Sequence, residues 1–196
     1  MNDPGLRAVT VAGHTGDDTT ARAGMASHDP AVRAAALGAL ERLGHLDDDT
    51  LADALRDREL VVRRRAAEIA ASHRSVDLLD SLHDTDERVV EVAAWACGEH
   101  ESQRDAIVER LVELAGSAAE PLVRESAVAA LGAIGDTRGL AAIIAACDDK
   151  PAVRRRAVLA LAPFDGADVD ATIERALADR DWQVRQAAED LRRAQS

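Results

Sequence analysis

Aromatic side chains make up only 2% of this sequence of 196 residues, and tyrosine is absent. A hydrophobic core therefore has to be built mainly from alanine, leucine and valine. Small alanine faces let helices approach one another closely, so this shortage favours tightly stacked helices. It also argues against a site that stacks nucleobases on aromatic rings.

Cysteine, lysine and long apolar runs are also scarce. Two cysteines, Cys97 and Cys147, cannot make a disulfide framework, and Lys150 is the only lysine. The first residues show no signal-peptide pattern, and no stretch approaches the length of a membrane span. We therefore expect a cytoplasmic protein without a membrane partner.

Basic residues are outnumbered by acidic ones, 24 against 36, which gives a formal net charge of −12. A chain with this balance repels a phosphate backbone. We therefore expect no nucleic-acid partner.

A valine-anchored pattern recurs along the chain. In its clearest copy, Pro121–Gly135, proline stands at a first-turn position, glycine marks the helix end, and apolar residues recur between them at helical spacing. The six anchors are Val32, Val62, Val89, Val123, Val153 and Val184. Successive anchors lie 30, 27, 34, 30 and 31 residues apart, which is typical of a helical solenoid.

Each anchor has charged neighbours. Arginine follows the valine in five copies, at Arg33, Arg63, Arg124, Arg154 and Arg185. An acid precedes every anchor by three or four residues, where it can cap a helix and meet the positive end of its dipole. Because the arginines recur in register with the fold, we expect a structural ladder to neighbouring helix starts and not a phosphate site.

The motif acid-Pro-x-Val-Arg-x-x-Ala-x-x-Ala-Leu-Gly-x-Ile-Gly-Asp is present almost letter for letter at Glu120–Asp136, and closely at Asp29–Gly44. On these residues the chain resembles the phycobilisome-lyase-type HEAT repeat family, roughly over residues 29–196. The repeated motif is specific for the fold. It does not specify an activity, because such repeats serve lyases, chaperones, adaptors and scaffolds.

The repeats predict an all-α protein, an α-solenoid of HEAT-like helix pairs with about 12 or 13 antiparallel helices in two layers. One solenoid is expected over residues 1–196. It comprises a degenerate N-terminal capping unit (1–28), five units of an A helix and a B helix (29–179) and a C-terminal capping helix (180–196). Trp182 is expected to pack within that last cap.

Three B helices are predicted in more detail. In the first full unit, Asp48 or Asp49 is expected to cap the B helix. The second B helix should run through Val76, Leu79 and Leu82, and the third should span Ser102–Ala115.

Histidines stand at turns between A and B helices: His14, His45, His73 and His100. Neighbouring turns of a solenoid lie about 10 Å apart, which is too far for shared metal ligation. We expect these histidines to complement helix C-termini, with a mild pH response. The His100-Glu101 pair resembles those of HEAT-repeat deoxyhypusine hydroxylases, but that family needs several pairs on helices. We therefore predict no metal, no cofactor and no catalytic residue.

Six residues are predicted to bind a partner: Asp53, Asp77, Asp80, Glu109, Glu113 and Trp95. The five acids are polar positions of the first three full B helices, which line the concave side in this family. Their charge would attract a basic segment; alternatively, they are surface acids without a partner.

Trp95 has counterparts in other repeats that include Glu68 and Asp190, so its position is not deep core. It is either an interface anchor or a cover for the longer third unit.

The first functional hypothesis is a non-enzymatic, monomeric scaffold or adaptor that binds another protein or a basic peptide on its concave face. The alternative, implied by the resemblance, is a lyase-like or chaperone-like factor acting on a chromophore- or cofactor-bearing protein. A DNA alkylpurine glycosylase-like role is less favoured, because it would need a basic, aromatic-lined channel.

Overall fold

The computed structural model describes residues 4–100 and 105–194, and these residues contain twelve α-helices, two short 3-10 helices and no strand. The α-helices are α1 Leu6–Thr15, α2 Asp18–Met25, α3 Pro30–Leu43, α4 Asp48–Ala54, α5 Leu60–Ala70, α6 Glu87–Gly98, α7 Asp105–Ser117, α8 Pro121–Ile134, α9 Leu140–Ala146, α10 Pro151–Ala160, α11 Ala167–Leu177 and α12 Trp182–Ala194. The predicted all-α solenoid of paired helices is confirmed. None of the described helices combines the length and apolar character that a membrane crossing requires.

Contacts divide the chain into two compact units, Met1–Ser81 and Leu82–Ser196. In the first unit, α1 and α2 pack on α3, and α5 packs on α3 and α4. In the second unit the A helices α6, α8, α10 and α12 pack in that order, while α7, α9 and α11 form the B layer against them. The predicted boundaries of the capping units and of the five repeats stay predictions.

Proline and glycine set several helix ends, as the motif predicts. α3, α8 and α10 begin with proline, whose fixed φ suits the first turn. α3 and α8 end before Gly44 and Gly135, both with φ of 68°, a left-handed conformation that only glycine adopts without strain.

Aspartate side chains cap three of the A helices. Asp29, Asp86 and Asp181 each accept a hydrogen bond from a backbone N–H two residues later. Glu59 and Glu120 make no such bond, so the capping prediction is wrong for them. The shorter aspartate side chain suits the capping position, and glutamate is not among the preferred caps.

The cap of α4 also differs from the prediction. Asp47, and neither Asp48 nor Asp49, accepts the N–H of Thr50. Asp47 is the last residue before the helix, and its side chain therefore reaches the free amides of the first turn.

The predicted second B helix is not formed. Residues 71–80 form turns and irregular loop without a helix, and Leu82 lies in a 3-10 helix, Ser81–His83. The Ser75 hydroxyl bonds to Asp48, and the Asp77 carboxylate accepts the N–H of Leu79 at 3.1 Å. The Asp77 bond is local and competes with helix formation, and the Ser75 bond ties the segment to the first residue of α4. The third B helix is α7, Asp105–Ser117; its predicted start, Ser102, lies outside the described residues.

Small residues bring neighbouring A helices into close contact. A Cβ atom built on Gly132 of α8 would lie 2.6 Å from the Cα atom of Ala160 in α10. A Cβ atom on Gly98 of α6 would lie 3.1 Å from the Cα atom of Ala130 in α8. The alanine-rich composition therefore produces the close packing that it predicts.

An arginine ladder links successive repeats. Arg124 of α8 bonds to both carboxylate oxygens of Asp149, just before α10, through Nε at 2.5 Å and Nη2 at 2.8 Å. Its Nη1 donates to the carbonyl oxygen of Ala118 at 2.7 Å. The same two-bond geometry recurs in the pairs Arg33–Asp57 and Arg154–Asp179. The predicted structural ladder is confirmed for these three arginines. Arg63 and Arg185 donate to backbone carbonyl oxygens just before their own helices.

We expect Arg124→Ala to lower the free energy of unfolding by about 1–3 kcal/mol, because the half-buried Asp149 carboxylate loses both hydrogen bonds from the guanidinium. Urea unfolding followed by circular dichroism measures the loss. Arg180→Ala, at an exposed position, is the control and should change stability by less than about 0.5 kcal/mol. Equal midpoints for the two variants would contradict a structural role for the ladder.

A second stability test uses glycine. Gly132→Ala places a methyl group against the α10 backbone, and such overpacking costs about 1–3 kcal/mol. Gly116→Ala, on α7 with open space around it, should instead be neutral or stabilise by up to about 1 kcal/mol. If Gly132→Ala unfolds at the same urea concentration as Gly116→Ala, the close α8–α10 contact is wrong.

Candidate protein-binding site

The outer side of the A helices in the second unit carries a groove around Trp95. A cavity of about 440 Å³ lies between α6 and α8. The surface that we call the A-face groove is formed by Glu91, Trp95, Leu122, Ala129, Ala133 and Arg156. Trp95 is 44% exposed and Leu122 is 63% exposed, so two large apolar side chains border an open cavity.

Helical spacing and small side chains explain the groove. Glu91 and Trp95 are four residues apart on α6 and therefore share one face, and Glu99 is the residue that caps the end of this helix. Opposite them α8 presents Ala129 and Ala133, whose methyl groups leave space beside the indole. The helix backbones approach closely, but the side chains above the contact do not fill the gap.

Carboxylates dominate the α6–α8 end of the groove. A second cavity, of about 590 Å³, shares Glu91 and Leu122 with the first and is also lined by Glu87 and Glu120. Arg88 lies there too, but its guanidinium is bound to Asp86 at 2.8 Å. The remaining carboxylates give this end a negative potential that favours cations.

The predictions for the two tryptophans have different outcomes. The prediction that Trp95 is not deep core is confirmed by its exposure. Trp182 does not pack within the C-terminal cap as expected, because it is 65% exposed. It is the first residue of α12 and borders a cavity of about 250 Å³ with Arg155 and Leu159.

The five predicted acidic residues are all exposed, but they do not share one kind of element. Asp53 lies on α4, and Glu109 and Glu113 lie one turn apart on α7. Asp77 and Asp80 lie in the non-helical segment of residues 71–80, so their placement on a B helix is wrong.

Some of these acids already have protein partners. Asp77 accepts the N–H of Leu79, and Asp80 is 3.4 Å from Arg56. Glu113 is 2.8 Å from Arg110 on the same helix. A role in partner binding stays a prediction for all five.

The turn histidines bind carboxylates that the sequence did not reveal. His45 Nδ1 is 2.8 Å from Asp18, the first residue of α2. His73 Nδ1 is 2.7 Å from Asp48, the first residue of α4, and its Nε2 is 2.8 Å from Glu41. Asp18 and Asp48 occupy the same position, the first residue of a short helix. This shared position is the sequence signal that could have revealed both histidine–carboxylate pairs.

Metal ligation finds no support in the residues that the structure describes, since they contain no group of three suitable side chains. His100 is buried, with 6% exposure, and Glu101 of the predicted pair lies outside the described residues.

His73 has a perturbed pKa. Burial acts to lower the pKa of His73, but hydrogen bonds to Glu41 and Asp48 outweigh it and raise the pKa above the usual 6.5. Both ring nitrogens face carboxylates, and only the doubly protonated imidazolium can donate to both. Hydrogen bonds from Ser75 and then His73 hold the pKa of Asp48 below 3.8.

This geometry predicts a pH-dependent stability. Because the folded-state pKa of His73 is raised, its contribution is fully present below about pH 6.5 and is lost as the pH rises through the folded value. His73→Gln should therefore destabilise the protein more at pH 6 than at pH 8.5, as measured by urea unfolding. His28→Gln, at an exposed position, is the control. If His73→Gln loses the same free energy of unfolding at both pH values, the contact of a charged imidazolium with the two carboxylates is contradicted.

Solved structures with a similar fold are repeat proteins. A designed armadillo repeat protein is 17% identical, with a TM-score of 0.63, over 89% of this chain and 97% of that one. The Escherichia coli protein YibA is 19% identical, with a TM-score of 0.64, over 92% of this chain and 71% of that one. A second designed armadillo repeat protein, in complex with the peptide (KR)4, is 19% identical, with a TM-score of 0.60, over 96% of this chain and 98% of that one. At these identities the likeness shows the fold alone.

Sequence comparison identifies the repeats themselves. No curated protein sequence matches the chain. The family model for HEAT repeats matches residues 75–162 and 108–191, and it carries no specific indication of the phycobilisome-lyase type. Because the two matches together extend over residues 75–191, more than half of the sequence, the chain belongs to the HEAT repeat family.

Proposed function

We propose that this protein is a non-enzymatic scaffold that binds a segment of another protein in the A-face groove. The observation that carries the proposal is Trp95, 44% exposed beside an open cavity of about 440 Å³. Burying an indole on binding releases a large apolar surface from water, and tryptophan is enriched among the residues that dominate interface energies.

The charge of the groove favours a basic segment. Glu87, Glu91 and Glu120 surround Leu122 at the α6–α8 end. Their negative potential would steer lysine and arginine side chains and raise the association rate at low salt. The designed armadillo protein bound to (KR)4 is an example of a similar fold with a basic peptide.

The two thiols do not favour a covalent enzyme mechanism. Cys97 is fully buried, with 0% exposure. Burial, with a smaller contribution from Asp148, raises the pKa of Cys147 to about 12, so this thiol is protonated at neutral pH and is a poor nucleophile.

Glu109 and Glu113 on α7 form a second candidate surface. Glu109 and Glu113 of α7 belong to the same unit as the A-face groove, and Asp53, Asp77 and Asp80 belong to the other unit. A basic segment bound by Glu109 and Glu113 would not need Trp95. The two surfaces can therefore be distinguished by mutation.

The lyase-like or chaperone-like role remains an alternative hypothesis. It also requires the chain to hold another protein, but it adds a chromophore or cofactor on that protein. Co-expression with a chromophore-bearing protein, followed by absorbance of the purified complex, would test it.

Peptide binding tests the proposed function. In Trp182→Phe, Trp95 is the only indole, and its fluorescence reports the groove. A synthetic basic peptide of lysine and arginine with one central leucine should shift Trp95 emission to shorter wavelength and reduce acrylamide quenching. Trp95→Ala should weaken binding of this peptide at least tenfold, about 1.4 kcal/mol, as measured by calorimetry.

Matched variants identify the surface. Trp182→Ala should leave the affinity of the basic peptide within about twofold, because the effect of an exposed residue outside the contact is small. The double variant Glu109→Lys, Glu113→Lys should have an equally small effect. If this double variant loses binding and Trp95→Ala keeps it, the proposed groove is wrong and the site lies on the B side.

A further inference from the structure

The A-face groove extends beyond α8 towards the end of the second unit. The cavity next to Trp95 shares Ala129, Ala133 and Arg156 with a cavity of about 220 Å³ between α8 and α10. That cavity shares Leu159 with the cavity beside Trp182. The shared residues make one continuous surface from α6 to α12.

Charge changes sign along this surface. The α6–α8 end carries Glu87, Glu91 and Glu120. On α10 the surface carries Arg155 and Arg156.

The basic end is not neutralised by its neighbours. Arg155 is exposed and makes no ion pair within residues 4–100 and 105–194. The Nε atom of Arg156 is 3.6 Å from Glu125, a long contact. Asp190 also lines the α10–α12 cavity, but its carboxylate is bound by Arg193 at 3.1 Å and by Gln186 at 3.0 Å. The arginines therefore present positive charge to solvent.

An exposed indole stands at each end of the surface. Three helix spacings of about 9 Å separate α6 from α12. Trp95 also lies about 12 Å further along its helix than Trp182 does along α12, from eight residues of helical rise. The distance between the indoles is therefore about 30 Å, which an extended chain covers with about nine residues.

We propose that the A-face groove and its continuation to Trp182 bind an extended segment with basic residues at one end and acidic residues at the other. The basic part lies over α6 and α8, and the acidic part lies over α10. An apolar residue near each end contacts Trp95 or Trp182. This proposal rests on the proposed function and names the partner of the same site.

Three synthetic peptides of 12 residues test the proposal, each with leucine at positions 2 and 11. The first has lysines in one half and glutamates in the other, the second has only lysines, and the third has only glutamates. Trp182→Phe reports on Trp95, and Trp95→Phe reports on Trp182, because these are the only tryptophans. The two-block peptide should change the emission of both indoles, and the lysine peptide should change that of Trp95 alone.

A charge reversal on α10 provides the matched test. Arg155→Glu should weaken binding of the two-block peptide about five- to tenfold at low salt, the effect of one lost and one repulsive exposed charge contact. The same variant should not weaken the lysine peptide. Arg180→Glu, an exposed reversal outside the groove, should change either affinity by less than twofold. Circular dichroism confirms that the variants are folded.

Each outcome has a distinct meaning. If the lysine peptide binds as tightly as the two-block peptide, and Arg155→Glu has no effect, the two-charge segment is wrong. In that case a response of Trp95 still supports the proposed function. If none of the peptides changes Trp95 emission, both proposals are overturned.

Discussion

The bidentate contact between an arginine on one A helix and an aspartate before the next A helix is the interaction on which the repeat stack depends. Arg124 and Asp149 show its geometry, with side chains that are only 12% and 20% exposed. A half-buried carboxylate is costly without its donors, so the pair strongly favours one register between repeats. Asp57 and Asp179 also accept a backbone N–H two residues later, which joins the bridge to the entry of the following helix.

The sequence predicted the features that depend on local chemistry. Proline at the first turn, glycine at the helix end and valine at helical spacing act over a few residues, so the A helices were located correctly. The second B helix fails for one local and one distant reason. Asp77 accepts the N–H of Leu79, two residues later, and Ser75 bonds to Asp48, 27 residues earlier; a repeat pattern indicates neither bond. The partners Asp57 and Asp179 were missed because they stand 24 or 25 residues after their arginines and outside the acids that precede each valine.

The candidate site could be predicted only in part, because it arises from distances between repeats. Exposure of Trp95 followed from its charged counterparts in other copies. The cavity beside it depends on how closely α6 and α8 approach, which is set by Gly98 against Ala130. The exposure of Trp182 likewise depends on how α12 packs against α10 and α11, and a periodic pattern does not specify that packing.

Stability and recognition use different positions of the same repeat. The valine anchors are buried and the ladder arginines are bound to aspartate, so these positions repeat with little change. The residue six after each anchor varies widely: Gly38, Glu68, Trp95, Ala129, Leu159 and Asp190. Side chains at that position contribute little to the register, because the ladder and the small-residue contacts already hold the helices. Substitution there can change the shape and charge of the A face at low cost in stability. A binding surface can therefore diverge on these helices while the stack beneath it stays the same.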